Sequence, residues 1–426
     1  MSIMNAMWNG VSGLSAEAQA LGVVGDNVAN SNTTGFKASR AVFEDILGGA
    51  VGEGAGGGVR MARAQQIFAQ GSISNTGQPT DLALTGDGFF VVHGTVDGVD
   101  GDFYTRAGQM GLDASGFLTN SAGMKLQGYP AANGGFAGTM SDIQVPSGAL
   151  APKPTANFSL DANLDSNAVT PALPWDAQNP VATSNFSTST TMYDSLGNAH
   201  SVDVYFNKTG NGTWDYHALV DGAEVTGGTP GQNTEILSGS LVFDTNGALQ
   251  SNSVTAGGTV DFVGATPAQA IAFDLGTPAA SGGTGLDGIT QYGSASNVSE
   301  QSQDGYASGS LSGVSVDASG VVNAAYTNGQ KVAVAQIAVA KFASNDGLAR
   351  AGHNLWAATR ESGAAAMGAA GTGGRASIVS GALESSNVDI ASQFVELISH
   401  QRSFQANSKT ITTADEMLQE LVNLKR

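Results

Sequence analysis

The sequence predicts a mainly β protein with terminal α-helices, in which the N- and C-terminal helices pair as a coiled coil and nested β domains lie between them. Apolar seven-residue repeats occupy both ends. The long stretch between them alternates strand-like segments with glycine turns. Glycine is abundant, at 59 of 426 residues, while charged residues make up only 12%, a mix that suits short strands joined by tight turns.

Each element follows in order. Met4, Met7, Val11, Leu14, Ala18, Leu21, Gly25 and Val28 step by threes and fours, as do Ile390, Phe394, Leu397, Gln401, Phe404, Ser408, Ile411, Asp415, Leu418 and Val422. Such spacing lays one apolar seam along a helix that winds against other helices. The first helix is expected over residues 2–30. Its interior glycines, Gly10, Gly13, Gly22 and Gly25, each cost about 1 kcal/mol relative to alanine. They fit a helix pressed by others on more than one side, and an isolated helix of this kind is marginal in water. Weak order in the free monomer is therefore expected. Asn27, Asn30, Asn32 and Gly35 mark its end. Residues 31–69 read as a connector, and its Gly-rich run 48–58 is flexible by composition.

Period-two patterning begins near Gln70. Phe89 to Val92, Phe103 to Arg106 and Phe117 to Thr119 are strand candidates. Residues 150–300 read as a separate inserted β domain. There Val202, Val204 and Phe206 share one face, Trp214, Tyr216, Ala218 and Val220 share another, and Asn207 to Thr213 suits a hairpin loop. Residues 301–384 match 70–149 in texture, so those two segments are expected to form one inner β domain. Val332 and Val334 alternate out of phase with Ile337 and Val339, which predicts a β-bulge between the pairs. Ala364 to Gly374 reads as a second small-residue loop. Asp-x-x-Gly recurs at Asp113, Asp194, Asp244 and Asp317 and predicts type I turns with a left-handed glycine.

The net charge of −19 argues against nucleic acid and anionic membrane as partners. Residues 154–330 hold sixteen Asp and Glu against one basic residue, Lys208, which reads as a solvated surface kept soluble by repulsion. Cysteine is absent, which removes disulfides and Cys-ligated zinc. No run approaches the length of a membrane span, so membrane insertion is not expected. The N-terminus lacks a basic n-region with an apolar core, so export, if any, is expected by a route without a cleaved signal peptide.

Little points to chemistry. The five histidines are scattered, with no HExxH pair, nucleophile elbow or P-loop. His217, on the strand face opposite Trp214, reads as a surface residue. Asp97, Asp100 and Asp102 are the nearest approach to a calcium loop, but they lack the closing Glu. No catalytic residue, metal or cofactor is expected. An enzyme would need a pocket with convergent titratable groups.

Several motifs occur together and in order. They are Asn27-Val28-Ala29-Asn30-Ser31-Asn32-Thr33-Thr34-Gly35-Phe36-Lys37, then Gln70-Gly71-Ser72, and Asp81-Leu82-Ala83-Leu84-Thr85 running into Gly86-Asp87-Gly88-Phe89-Phe90. Tyr104-Thr105-Arg106-Ala107-Gly108 follows, and Ser380-Gly381-Ala382-Leu383-Glu384 leads to Asn387-Val388-Asp389 and the closing helix. Together they resemble the bacterial flagellar rod and hook family, over roughly the first 130 and last 120 residues. The long middle, Gln303-Asp304-Gly305-Tyr306 and Asn354-Leu355-Trp356 resemble the hook branch.

That resemblance implies a structural subunit that polymerises into a flexible curved tube carrying torque from rod to filament. The implied partners are other copies of itself, the rod and hook–filament junction proteins, and, during assembly, the hook cap and the flagellar type III export apparatus. The implied place is the extracellular hook of the flagellum. Gly35, Phe36 and Lys37 are read either as a hinge or subunit contact, or as a helix C-cap with Phe36 as a packing anchor. The helix positions Met7, Val11, Leu14, Leu21, Val28, Ile390, Phe394, Leu397, Phe404, Ile411, Leu418 and Val422 are the expected assembly residues. Ordinary packing between the two helices is the equal alternative for Leu14 and Phe404. A distal rod or hook-like adaptor subunit is the alternative within the family, and a secreted β-rich adhesin the alternative outside it.

Overall fold

The computed structural model describes residues 3–47, 56–132 and 134–423. Most of the glycine-rich run at 48–58 lies outside them. The chain divides into two compact units. The terminal unit comprises Met1–Ser147, Ser312–Ala325 and Lys331–Arg426, and the central unit Gly148–Leu311 with Tyr326–Gln330.

In the terminal unit, the helices Ile3–Ala29 and Ile390–Asn423 pack against each other. They run antiparallel: Gly10 lies beside Ile411, Gly13 beside Asn407 and Glu17 beside His400. Residues 31–69, expected as a connector, include an antiparallel strand pair, Ser39–Asp45 with Val59–Gln66. Arg60 and Glu44 form an ion pair across it.

A large sheet follows. Phe89–Val96 pairs with Val99–Thr105 and with Lys125–Ala132, and Lys331–Lys341 joins all of this to Val321–Tyr326. Phe89, Val91, Tyr104, Ala338, Ala340, Phe342, Leu348 and Trp356 form its core. Tyr104 meets Phe342 edge to face at 4.7 Å. The strand carries a bulge, one residue before the interval in which the phase slip places it. Val322 pairs with Ala335 and Asn323 with Ala333, which leaves Val334 unpaired.

Ala364 to Gly374 differs from its reading as a loop. Ala366–Ala369 pairs antiparallel with Ala338–Lys341. The buried edge of that strand needs backbone partners, and a run without large side chains can supply them. Two short ladders then stitch the chain ends: Leu82–Thr85 pairs with Ser377–Ser380, and Ile73–Asn75 with Ala382–Glu384.

In the central unit, five antiparallel strands run in order from Phe186–Tyr193 through Ala199–Gly210, Thr213–Asp221 and Asn233–Phe243 to Leu249–Gly257. A second sheet centres on Asn157–Asp165. It pairs parallel with Ala272–Asp274 and Thr290–Tyr292, and antiparallel with Asn297–Gln303. The inward faces of both sheets share one core, including Phe158, Leu160, Val204, Phe206, Trp214 and Tyr216. The hairpin expected over Asn207 to Thr213 is tighter, with only Asn211 and Gly212 between the strands. Lys208 keeps the strand going because its side chain turns inward. Its Nζ donates to the carbonyls of Ser166 and Ala168.

The four Asp-x-x-Gly turns are alike. In each, the Asp carboxylate accepts from the N–H groups two and four residues on, as Ser115 and Phe117 donate to Asp113. The glycine is left-handed, φ 81° to 84°. His217 is covered, contrary to its surface reading. The Trp175 ring stacks on it at 4.0 Å, Glu235 Oε2 lies 2.9 Å from its Nδ1, and its side chain is 12% exposed.

Trp214 is fully buried at the centre of the central unit. Trp214→Ala is expected to destabilise that unit by about 3–5 kcal/mol, read as a lowered urea midpoint in far-UV circular dichroism.

Candidate functional site at the paired chain ends

The two terminal helices present two different stripes. The stripe facing the partner helix is small or polar. On the N-terminal helix the buried positions are Gly10, Gly13, Ala16, Ala20, Val24 and Asn27. On the C-terminal helix, Gln393 and Ala414 are buried, and His400, Ser403 and Asn407 are half-buried. A Cβ at Gly10 would lie 2.9 Å from Ile411 Cγ1, and one at Gly13 2.6 Å from Asn407 Nδ2, so those glycines permit close approach of the helices. Gly22 and Gly25 meet nothing from their own chain.

Most of the apolar seven-residue repeat lies one residue round from that seam, while Ile411 enters it against Gly10. Ile390, Phe394, Phe404 and Val422 are exposed, as are Val11 and the nearby Met4 and Trp8. Met7, Leu14, Leu21, Val28, Leu397, Ile411 and Leu418 are half-buried. The structure thus leaves an apolar stripe, including Phe394 at 50% exposure, beside the seam that joins the helices. Large exposed apolar stripes mark interaction surfaces.

Below the helices, the family motifs converge on one buried anion. Glu384 is fully buried. Its Oε1 accepts from Lys37 Nζ at 2.6 Å and from the Gly71 N–H at 2.9 Å, and its Oε2 from Arg106 Nη1 at 3.2 Å. Lys37 Nζ also donates to the Ala69 carbonyl, and Arg106 Nη2 to the Gly86 carbonyl. Burial lowers the Lys37 ammonium and the Arg106 guanidinium pKa values, and the Glu384 carboxylate opposes that shift in both. Gly35 is left-handed at φ 68°, its N–H donates to the Glu384 carbonyl at 2.7 Å, and a Cβ there would strike Ala107 N at 2.6 Å.

The remaining motif residues brace this junction. Asn27 is buried, with Nδ2 on the Ser39 carbonyl and on Gln393 Oε1 and with Oδ1 accepting from the Ser39 N–H. Asn30 donates to the Asp26 carbonyl and accepts from Thr33 Oγ1. Phe36 is 4% exposed, with the Arg350 guanidinium 5.8 Å from its ring, and Arg350 also pairs with Asp26. These contacts support the packing-anchor reading of Phe36. Asn354 Nδ2 reaches the Thr34 carbonyl at 2.7 Å. The Gly86-Asp87-Gly88 turn feeds the fully buried Phe89 and Phe90, and the Asp87 carbonyl accepts from Ala376. Sequence reasoning gave no role to Glu384, Arg106 or Gln393. For Glu384 the available signal was a charged residue in the otherwise apolar strand Ala382–Glu384.

In the central unit, the Gln303-Asp304-Gly305-Tyr306 motif closes the sheet entry. Asp304 accepts from the N–H groups of Ala156 and Asn157 and from Lys153 Nζ. Burial pushes its carboxyl up, but these donors outweigh burial and hold it well below the usual carboxylate range. An open groove of about 660 Å³ in the terminal unit is lined by Thr34, Asp97, Gln109, Ser121, His353 and Trp356. Among the described residues, no group of three His, Asp or Glu is placed to hold a metal, and no helix is long and apolar enough to cross a membrane.

A β-rich chain whose two ends are joined, with an apolar stripe left open on its end helices, has the organisation of an axial structural subunit. The comparisons with known proteins agree. Residues 7–37 match the flagella basal body rod protein family, 83–163 the flagellar hook protein FlgE/F/G D1 domain, 163–306 the flagellar basal body protein FlaE D2 domain, and 379–424 the flagellar basal body rod FlgEFG protein C-terminal family. Flagellar hook protein FlgE of Salmonella typhimurium and that of Escherichia coli K12 are each 37% identical, over 97% of this chain and 98% of theirs. FlgE of Treponema pallidum is 34% identical over the full length of both. The crystal structure of Helicobacter pylori flagellar hook protein FlgE2 shares the fold, with a TM-score of 0.51 at 16% identity over 72% of this chain and 98% of that one. The chain belongs to the flagellar hook protein FlgE family and is a structural protein of the flagellum.

Two outcomes follow from this geometry. Glu384→Gln leaves two buried cations without an anion, and it is expected to destabilise the terminal unit by about 3–5 kcal/mol in chemical denaturation. Asp304 has a depressed folded pKa, so its contribution is present above the unfolded carboxylate value and is lost as pH falls below about 4. Asp304→Asn is expected to flatten that acid limb of the melting temperature against pH.

Proposed function

We propose that this chain builds the flagellar hook by polymerising through its terminal helices into a flexible curved tube that carries torque from rod to filament. The observation that carries this reading is the exposed apolar stripe of Ile390, Phe394, Phe404 and Val422 on a helix whose other seam is already occupied by its own chain. Met7, Val11, Leu14, Leu21, Val28, Leu397, Ile411 and Leu418 complete the assembly set. Residues 1–30 with 385–426 form the tube-lining domain, 31–69 connect it, 70–149 with 301–384 form the inner β domain, and 150–300 the outer one.

The sequence composition fits that division. A tube that bends while turning needs firm helical contacts inside and shallow polar contacts outside. The acidic residues 154–330 suit the second role. The rod, the hook–filament junction and the hook cap are the expected neighbours. Passage through the flagellar export apparatus brings the chain to the cell exterior.

Phe404 is exposed. Phe404→Asp is expected to abolish tubes in electron microscopy while the circular dichroism spectrum of the soluble chain stays unchanged, and Leu14→Asp is expected to abolish tubes as well. Normal curved tubes from either variant would contradict the reading.

A further inference from the structure

The seam that joins the two end helices is poor in large side chains, so something other than hydrophobic area must choose its partner. Once copies polymerise, C-terminal helices of other copies compete for each N-terminal helix, and glycine and alanine faces would accept many of them. Two side-chain pairs cross the seam at separated points. Glu17 Oε2 lies 2.6 Å from His400 Nδ1, with side chains 18% and 21% exposed. Asn27 Nδ2 donates to Gln393 Oε1 at 2.8 Å, a buried contact, while the rest of the Asn27 amide is committed to the Ser39 backbone. Asn407 fills the space that Gly13 leaves.

Polar groups inside a helix seam fix register and partner at some loss of stability. A slip of seven residues along the C-terminal helix would set Glu17 against Gln393 or Asn407 in place of His400. It would also take Gln393 from Asn27. A one-residue rotation would bring the apolar stripe into the seam and leave the Asn27 amide and the Ser39 backbone facing Phe394, at the cost of unpaired buried polar groups.

We propose that Glu17–His400 and Asn27–Gln393 are specificity determinants of assembly. They make each N-terminal helix pair with the C-terminal helix of its own chain within the polymer, and they reserve the apolar stripe for other copies. The proposal rests on the polymerisation reading above.

Exchanging the charges tests it. Glu17→Lys and His400→Glu are made singly and together in the full chain, and tube yield is measured by sedimentation and electron microscopy. Each single variant is expected to lose about ten-fold or more in yield. The double variant is expected to return to within about two-fold of the parent, as a coupled pair should. An equimolar mixture of the two single variants is expected to stay low, because neither chain can then join its own ends. Rescue by the mixture would show that the pair forms between chains and would overturn the proposal. Unimpaired single variants, or a double variant no better than the singles, would overturn it too. If the unaltered chain itself forms no tubes, the polymerisation reading fails instead. Intrachain pairing is then read from helix content, which is expected to fall in the singles and recover in the double.

Discussion

The fold of the terminal unit depends on one buried carboxylate. Glu384 holds Lys37, Arg106 and the Gly71 N–H together in a fully buried place. Its three partners come from three separate stretches of sequence, and the anion itself comes from a fourth, near the C-terminus. A buried anion is tolerable only when its donors are in place, so none of these segments can shift alone. The consequence reaches the helices directly, because the chain leaves the N-terminal helix through Gly35, whose N–H is held by the Glu384 carbonyl. The angle at which the two helices leave the sheet is thereby tied to the sheet itself.

Above that junction, the helices divide two tasks between two stripes. Small and polar residues join the ends of one chain, and larger apolar residues stay uncovered. Close approach over glycine needs little side-chain ordering, and the polar pairs supply direction rather than area. The apolar stripe alone offers area, and apart from Ile411, which packs on Gly10, its exposed members Ile390, Phe394, Phe404 and Val422 remain open. This arrangement suits a subunit that must be complete by itself and still adhesive toward copies of itself.

Much of this was legible in the sequence, and what was missed has physical reasons. Period and local turn chemistry are local properties. They located both end helices, the left-handed glycines of the Asp-x-x-Gly turns and, to within a residue, the bulge at Val334. Partner choice is not local. The repeats at Met4 and Ile390 identified an apolar stripe correctly, but nothing in the spacing says that the helices join by the adjacent stripe of Gly13, Ala20 and Gln393. Ala366–Ala369 gave no strand signal because its pairing is dictated by an open edge elsewhere in the sheet. His217 was placed on the right face of its strand, yet Trp175 arrives from 42 residues upstream to cover it. The motif residues Lys37 and Glu384 were visible as a resemblance, while their ion pair spans 347 positions.

Hydrogen exchange tests the central claim most directly, by comparing the full chain as monomer and as assembled tube. If the helices are the contacts between copies, amides of Ile3–Ala29 and Ile390–Asn423 exchange readily in the monomer and become strongly protected in the tube, while the core strands Phe89–Val96 and Thr213–Asp221 are equally protected in both. Helices with the same protection in both states, or protection gained chiefly by the strands of the central unit, would contradict the account.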